Sequence, residues 1–123
     1  MRKILVIDDE KDYMYFLKLN LEAVGRYRVT TASNGLRGVA SAIFQKPDLI
    51  LLDIMMPGMN GFETLKRLKS HRQTVSIPVI MLTAVNQSEA QKQAAELFNE
   101  DYITKPIETK DLKTRIERVL SRA

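Results

Sequence analysis

Five polar residues of this sequence each follow a short apolar run, and their types suit phosphoryl chemistry. They are Asp8, Asp9, Asp53, Thr83 and Lys105. If the apolar runs are parallel strands, all five side chains lie at the carboxyl edge of one sheet, where open α/β sheets bind their ligands. Three carboxylates, a hydroxyl and an ammonium at that edge predict transfer of a phosphoryl group to a carboxylate with help from a divalent metal ion.

The adjacent acids Asp8 and Asp9 can both face one site only from a loop immediately past the end of a strand. Two close carboxylates repel each other, and a hard divalent cation relieves that repulsion. Asp9 and Asp53, with a backbone carbonyl nearby, would complete such a site for Mg²⁺. Taken alone, the acidic pair is explained equally well as a helix N-cap.

Asp53 is the candidate acceptor, because a carboxylate oxygen can take a phosphoryl group and form an acyl phosphate. The turn-forming pairs Pro57–Gly58 and Asn60–Gly61 follow it and would let backbone N–H groups face the phosphoryl oxygens. The methionines of this segment, Met55, Met56 and Met59, are expected to be packing or loop residues.

Thr83 and Lys105 are candidate partners of the phosphoryl group. The Thr83 hydroxyl can donate to a phosphoryl oxygen, and the Lys105 ammonium can pair with Asp53 before the reaction and with the phosphoryl group after it. Each has an ordinary alternative as a strand-end threonine or a surface lysine. The bond between Lys105 and Pro106 is a candidate cis peptide bond, which would hold the lysine at one angle.

The elements that must position these residues follow a (βα)5 order, which predicts an α/β sandwich of three layers. The runs ending at Asp8, Asp53 and Thr83 predict central strands covered on both faces, and the alternating run Tyr27–Ala32 suits an edge strand. Helices are expected over about Glu10–Val24, around Leu36–Ile43, and from about Asn60, Ser88 and Thr109 onward. The apolar stripe of the second predicted helix is Leu36, Val39, Ala40 and Ile43, and the inward residues of the fifth are Leu112, Ile116, Val119 and Leu120. The fourth predicted helix, from Ser88, has a thin apolar stripe, so we expect it to be weakly docked.

The composition is that of one globular domain over residues 1–123, with 45% hydrophobic and 28% charged residues. Without cysteine, disulfides and thiolate chemistry are excluded. The net charge of +4 comes from scattered basic residues without interleaved aromatics, so no direct binding of nucleic acid is expected. His71 lacks partner ligands and is expected at the surface.

The first apolar run holds about five residues, too few for a signal-peptide core or a membrane span. A cytoplasmic protein with no membrane partner is the simplest interpretation of such an amino-terminal end. The fifth predicted helix reaches the end of the sequence, so we expect no output domain within these 123 residues.

Four motifs of the chain, in order and at these spacings, resemble the receiver domain of two-component response regulators, of the chemotaxis-regulator type. They run over Ile4–Glu10, Pro47–Gly61, Pro78–Ala84 and Asp101–Pro106. The resemblance covers essentially the whole chain and implies a flavodoxin-like parallel sheet of order 2-1-3-4-5.

The resemblance also implies site roles. Asp53 would be the phosphoacceptor, and Asp9, Asp53 and the backbone carbonyl of Met55 would ligate Mg²⁺ or Mn²⁺, with Asp8 acting through water. A histidine kinase or phosphotransfer protein would donate the phosphoryl group. The domain would be a signalling switch and not an enzyme, with at most self-phosphorylation and self-dephosphorylation.

Residues at the neighbouring strand ends would respond to that group. Thr83, the backbone N–H of Ala84 and Lys105 would contact the phosphoryl oxygens, and Tyr102 matches an aromatic switch position. These movements would remodel the face formed by the fourth predicted helix, the fifth strand and the fifth predicted helix. The partner at that face would be an output domain or protein, or a second copy in a homodimer, and the chain would be a stand-alone receiver or part of a DNA-binding regulator.

Two other classes of protein place related chemistry on similar sheets. A haloacid-dehalogenase-type phosphatase needs a second aspartate two residues after the nucleophile, where Met55 stands. A flavin-binding electron carrier needs a hydroxyl- and glycine-rich loop after the first strand, where Asp8–Asp9–Glu10 would repel a flavin phosphate. The residues therefore disfavour both classes.

Overall fold

Five parallel strands form a single sheet in the computed structural model, which describes residues 1–83 and 101–122. The strands are β1 (Arg2–Ile7), β2 (Tyr27–Ala32), β3 (Leu49–Asp53), β4 (Val79–Thr83) and β5 (Asp101–Thr104). The helices are α1 (Lys11–Ala23), α2 (Gly35–Gln45), α3 (Gly61–Ser70) and a C-terminal helix (Thr109–Leu120). The strand order β2-β1-β3-β4-β5 confirms the predicted flavodoxin-like topology. The fourth predicted helix, from Ser88, lies outside the described residues.

The central strands are covered on both faces because nearly all of their residues are apolar. Along β1, Ile4 and Val6 belong to a cluster with α1 and the C-terminal helix. Leu5 and Ile7 face the opposite way and belong to a second cluster with α2 and α3. All five residues of β3 are buried. Within the sheet, β1 pairs directly with β3 and Ile7 lies opposite Leu52, so the ends of these two strands lie side by side.

The start of α3 is set by local chemistry close to the end of β3. Asn60 and Glu63 form a reciprocal capping box, with bonds of 3.0 and 3.1 Å between each backbone N–H and the other side chain. Gly61 donates its N–H to the carbonyl of Ile54 at 2.9 Å. A Cβ at Gly61 would overlap the carbonyl oxygen of Asp53, so the first turn of α3 packs directly on the strand end.

The buried face of α2 differs from the predicted stripe of Leu36, Val39, Ala40 and Ile43. The structure buries Gly35, Gly38, Val39 and Ala42, and leaves Leu36 62% exposed. A Cβ at Gly38 would overlap the side chain of Ile7, so the helix approaches the sheet through its glycines. The apolar pattern alone could not indicate this close approach.

Within the described ranges, no helix combines the length and the apolar character needed to cross a membrane.

Candidate functional site

Two buried carboxylates lie side by side at the carboxyl edge of the sheet. Asp53 is the last residue of β3, and its side chain is 5% exposed. Asp8 directly follows β1 and is fully buried, and its N–H donates to the carbonyl of Ala32 at 3.1 Å. Because Ile7 is in register with Leu52, Asp8 lies level with Asp53. The structure therefore brings these two predicted site residues together.

Lys105 connects the end of β5 to both of these acids. Its Nζ lies 3.0 Å from Oδ2 of Asp8, 3.3 Å from Oδ1 of Asp53 and 3.0 Å from Oε1 of Glu10. The Lys105 side chain is 14% exposed, and it must reach past the end of β4 to make these contacts. The ammonium of Lys105 therefore contacts three carboxylates. One of them is Asp53, which the sequence predicts as the partner of Lys105.

Two further residues belong to this site, although no role in it was predicted for them from the sequence. Glu10 precedes α1, and its N–H donates to Oδ1 of Asp8 at 2.9 Å while its carboxylate pairs with Lys105. The ring of Tyr13, in the first turn of α1, lies with its centroid 4.7 Å from Nζ of Lys105 and stacks on Phe16. Such cation–π contacts favour the ammonium on one side of the ring.

The electrostatics of the site reflect an excess of negative charge. Burial raises the pKa of Asp53 to about 7, and the charges of Asp8 and Asp9 act in the same direction while Lys105 opposes them. Burial also raises the pKa of Asp8, against the N–H of Glu10 and the charge of Lys105. Burial alone would lower the pKa of Lys105, but Asp8 and Asp53 outweigh it and hold that pKa above its ordinary value.

The arrangement suits a hard divalent cation. One carboxylate oxygen from each of Asp8, Glu10 and Asp53 lies within 4.8 Å of the others. An all-oxygen, carboxylate-rich set is the donor chemistry that Mg²⁺ binds. A cation bound there would reduce the repulsion between these carboxylates, which Lys105 alone does not fully neutralise.

The predicted ligands Asp9 and Met55 are less closely tied to this cluster. Asp9 is half-buried and acts on Asp53 through its charge, but it does not share the group of close oxygens, in which Glu10 stands instead. Met55 lies two residues past Asp53 with its side chain 59% exposed. Ligation by Asp9 and by the carbonyl of Met55 stays a prediction.

The remaining predicted residues belong to β4 and β5 or directly follow these strands. The side chain of Thr83 and all of Ala84 lie outside the part of the chain that the structure describes, although the backbone of Thr83 is in register with Thr104. Tyr102 packs against the cluster under α2 and α3, and its carbonyl accepts from Arg115 at 3.1 Å. The bond between Lys105 and Pro106 is cis.

Comparisons with known proteins identify the family of this chain. A family model described as the response regulator receiver domain matches residues 4–117. The DNA-binding dual master transcriptional regulator RpaA of Synechocystis is 38% identical over 122 residues, which cover 99% of this chain and 50% of that protein. The protein PilH of Pseudomonas aeruginosa is 40% identical over 121 residues, covering 98% of this chain and 99% of PilH.

Among solved structures, the chemotaxis protein CheY4 of Vibrio cholerae superposes with a TM-score of 0.88 at 30% identity, covering 97% of this chain and 98% of CheY4. The chain spans about half the length of the first curated relatives that it matches. The phosphatase alternative is not supported by these relatives, in agreement with Met55 at the position where that class needs an acid.

Proposed function

This chain belongs to the receiver-domain family of two-component response regulators, and we propose that Asp53 is its phosphoacceptor. The proposal rests above all on one observation: the buried Asp53 carboxylate lies at a strand end between Asp8 and the ammonium of Lys105. A nucleophile, a cation and an acidic metal-binding set are the components that phosphoryl transfer to a carboxylate requires.

In the proposed reaction, an oxygen of the Asp53 carboxylate attacks the phosphorus of the donor. An acyl phosphate forms as the bond from phosphorus to the donor atom breaks, and the leaving group keeps that electron pair. Asp8, Glu10 and Asp53, with Asp9 and the carbonyl of Met55 as further candidates, would hold Mg²⁺. When bound, Mg²⁺ supplies charge neutralisation between the anionic nucleophile and the anionic donor.

Lys105 is expected to change its contacts when Asp53 is phosphorylated. Its ammonium already lies 3.3 Å from Oδ1 of Asp53 and is shared with Asp8 and Glu10. Phosphorylation adds roughly −1.5 to −2 charge and three acceptor oxygens at Asp53. We expect Lys105 to move its contacts towards these oxygens, joined by the hydroxyl of Thr83 and the N–H of Ala84.

The proposed output face lies beyond Lys105, on β5 and the C-terminal helix. Arg115 links this helix to the carbonyl of Tyr102, two residues from Thr104 and three from Lys105. A change at Lys105 is therefore close to groups that tie β5 to the helix, and Tyr102 is the proposed aromatic switch. An output domain, a separate protein or a second copy of the chain would bind here.

The signalling partners of this chain are part of the proposal. The donor would be a histidine kinase or a phosphotransfer protein, and residues 1–123 would form one receiver domain without a classical enzyme activity. RpaA is a transcriptional regulator about twice as long as this chain, whereas PilH is of similar length. A cytoplasmic location stays a prediction.

The proposal is tested by incubating the chain with acetyl phosphate and Mg²⁺ and measuring intact mass. The wild-type chain should gain one phosphoryl unit that hydroxylamine removes, as expected for an acyl phosphate. Asp53→Asn should gain none, whereas Asp111→Asn, which removes an exposed acid of the C-terminal helix, should behave as wild type. Phosphate on the Asp53→Asn chain at the wild-type rate would refute the assignment.

A further inference from the structure

A second site candidate is a cleft that shares no lining residue with the acidic cluster of Asp8, Glu10 and Asp53. A cleft of about 650 Å³ opens between α1 and α2 at the outer edge of β2, the edge strand of the sheet. Its volume lies within the range of small-molecule sites, roughly 300–1,000 Å³. None of the proposed phosphoryl-site residues lines it.

The charge of the cleft has one sign. Lys11 and Lys18 line it from α1, and Arg37 lines it from α2. No acidic side chain of the described residues lines the cleft, and over 1–83 and 101–122 none of the three cations forms an ion pair. By contrast, Arg2 and Arg122 each pair with a nearby aspartate. Three cations that line one cleft, with no acidic residue among its described lining, attract an anion.

The spacing of these cations indicates an extended ligand. Lys11 and Lys18 are seven residues apart on α1, so they share one face of the helix and lie roughly 10 Å apart along its axis. Arg37 reaches the cleft from the opposite helix. A molecule with several linked anionic groups can contact all three cations along this length of the cleft.

The remaining lining residues suit an organic portion. Met14 is buried and lies between the two lysines on α1, and Ala32 is buried at the end of β2. The Tyr15 ring borders the cleft and is 63% exposed. Hydroxyl groups of Ser33 and Ser41 add hydrogen-bonding capacity.

We propose that this cleft binds a small organic polyanion, with its phosphate groups against Lys11, Lys18 and Arg37 and its apolar or aromatic part against Tyr15 and Met14. The chemical class is that of nucleoside polyphosphates. This inference does not depend on Asp53 being the phosphoacceptor.

The test uses ATP as the probe, titrated into the full chain in the presence of EDTA so that no metal recruits it to the acidic cluster. Calorimetry should give saturable binding at one site with a Kd below about 1 mM. The double variant Lys18→Glu, Arg37→Glu should weaken binding by about tenfold or more, since it reverses two contacts. Arg37→Ala serves as a milder variant should the double one not fold.

A matched control reverses the same number of charges elsewhere. Lys66→Glu, Arg67→Glu alters two exposed cations of α3 and should change ATP affinity by less than about twofold through long-range charge. Equal losses in both double variants would show only general attraction to a chain of net charge +4 and would overturn the proposal. Absence of saturable binding would do the same.

Two further binding measurements identify the chemical class of the ligand. Tyr15→Ala should weaken ATP binding but leave inorganic tripolyphosphate unaffected, and an unchanged ATP affinity in this variant would overturn the organic part of the proposal. Binding of polyglutamate more tightly than ATP would make an acidic protein segment the occupant and would also overturn it.

Discussion

The ammonium of Lys105 lies 3.3 Å from Oδ1 of Asp53, and this one cation must also serve Asp8 and Glu10, each at 3.0 Å. Without a metal ion the site is therefore short of positive charge. Burial strengthens each unfavourable interaction because the local dielectric constant is low. The consequences are measurable as dependences of stability on pH, on Mg²⁺ and on single side chains.

The metal-free chain should lose stability as the pH rises from about 4 to about 8. The folded-state pKa of Asp53 is about 7, above its ordinary value of 3.8, so the folded state holds a proton that the unfolded state has already released. Its contribution is fully present below the unfolded pKa and is lost as the pH rises through the folded pKa. Urea unfolding in EDTA at pH 5 and pH 8 measures the loss.

Asp53→Asn should flatten this pH dependence and stabilise the chain at pH 8 by about 1–3 kcal/mol, since one pKa unit corresponds to about 1.4 kcal/mol. Asp111→Asn should leave the pH profile as in the wild type, because that acid is exposed on the C-terminal helix. A profile as steep in Asp53→Asn as in the wild type would assign the pH dependence to other groups.

Mg²⁺ should reverse the pH trend. A cation on the carboxylates of Asp8, Glu10 and Asp53 stabilises their charged forms, so it competes with the proton and binds more weakly as the pH falls below about 7. Thermal unfolding should shift upward with Mg²⁺ concentration at pH 8 and much less at pH 5.5, following the linkage of ligand binding to stability. An equal shift at both values of pH would place the metal away from these acids.

Much of this fold could be predicted from the sequence, because the apolar pattern of each strand or helix indicates which of its faces is buried. The apolar runs of β1 and β3 indicate two-sided burial, and the inward positions predicted for the C-terminal helix, Leu112, Ile116, Val119 and Leu120, are all buried. These patterns work because burial of a strand or helix face depends mainly on its own periodicity. The stripe predicted for α2 was right for Val39, which is buried, and for Ile43, which packs against the core. It was wrong for Leu36 and Ala40, which are exposed, because the glycines of α2 set its distance to the sheet.

The candidate site was predictable where its residues end strands and not where they begin a helix. Asp8, Asp53 and Lys105 each follow an apolar run, and the structure brings all three together. Glu10 and Tyr13 join the site from the start of α1, which depends on how that helix leaves β1. In the sequence, only its position directly after the acidic pair Asp8–Asp9 indicated that Glu10 could join the site.

Replacing Lys105 by Met should destabilise the metal-free chain at pH 8 while strengthening its response to Mg²⁺. The substitution leaves the buried acids Asp8 and Asp53 without their cation, at a cost of about 3–5 kcal/mol for breaking a buried charge pair. Mg²⁺ should recover much of this loss because it supplies the missing charge.

The matched variant for this prediction is Lys110→Met, which removes an exposed lysine five residues further along the chain. It should change the free energy of unfolding by less than about 0.5 kcal/mol, as is usual for surface substitutions. If Lys105→Met proved as stable as Lys110→Met at pH 8 in EDTA, the ion pairs of Lys105 would not hold the site together.

Replacing Gly61 by Ala should impair the site through the backbone of Asp53. A Cβ at this position would overlap the carbonyl oxygen of Asp53 and Cα of Ile54, so either α3 or the end of β3 must move. Overpacking of this kind costs about 1–3 kcal/mol. The displaced carboxylate should also slow phosphorylation by acetyl phosphate and weaken the stabilisation by Mg²⁺.

Gly25→Ala separates the effect on the site from a general loss of stability. Gly25 has a φ of +85° with nothing within 4 Å of an added Cβ, so its substitution costs backbone strain of about 1–2 kcal/mol without crowding any neighbour. Both variants should remain folded at low temperature, where only Gly61→Ala should react slowly with acetyl phosphate. Equal reaction rates in the two variants would show that the contact between Gly61 and the backbone of Asp53 does not position the acceptor.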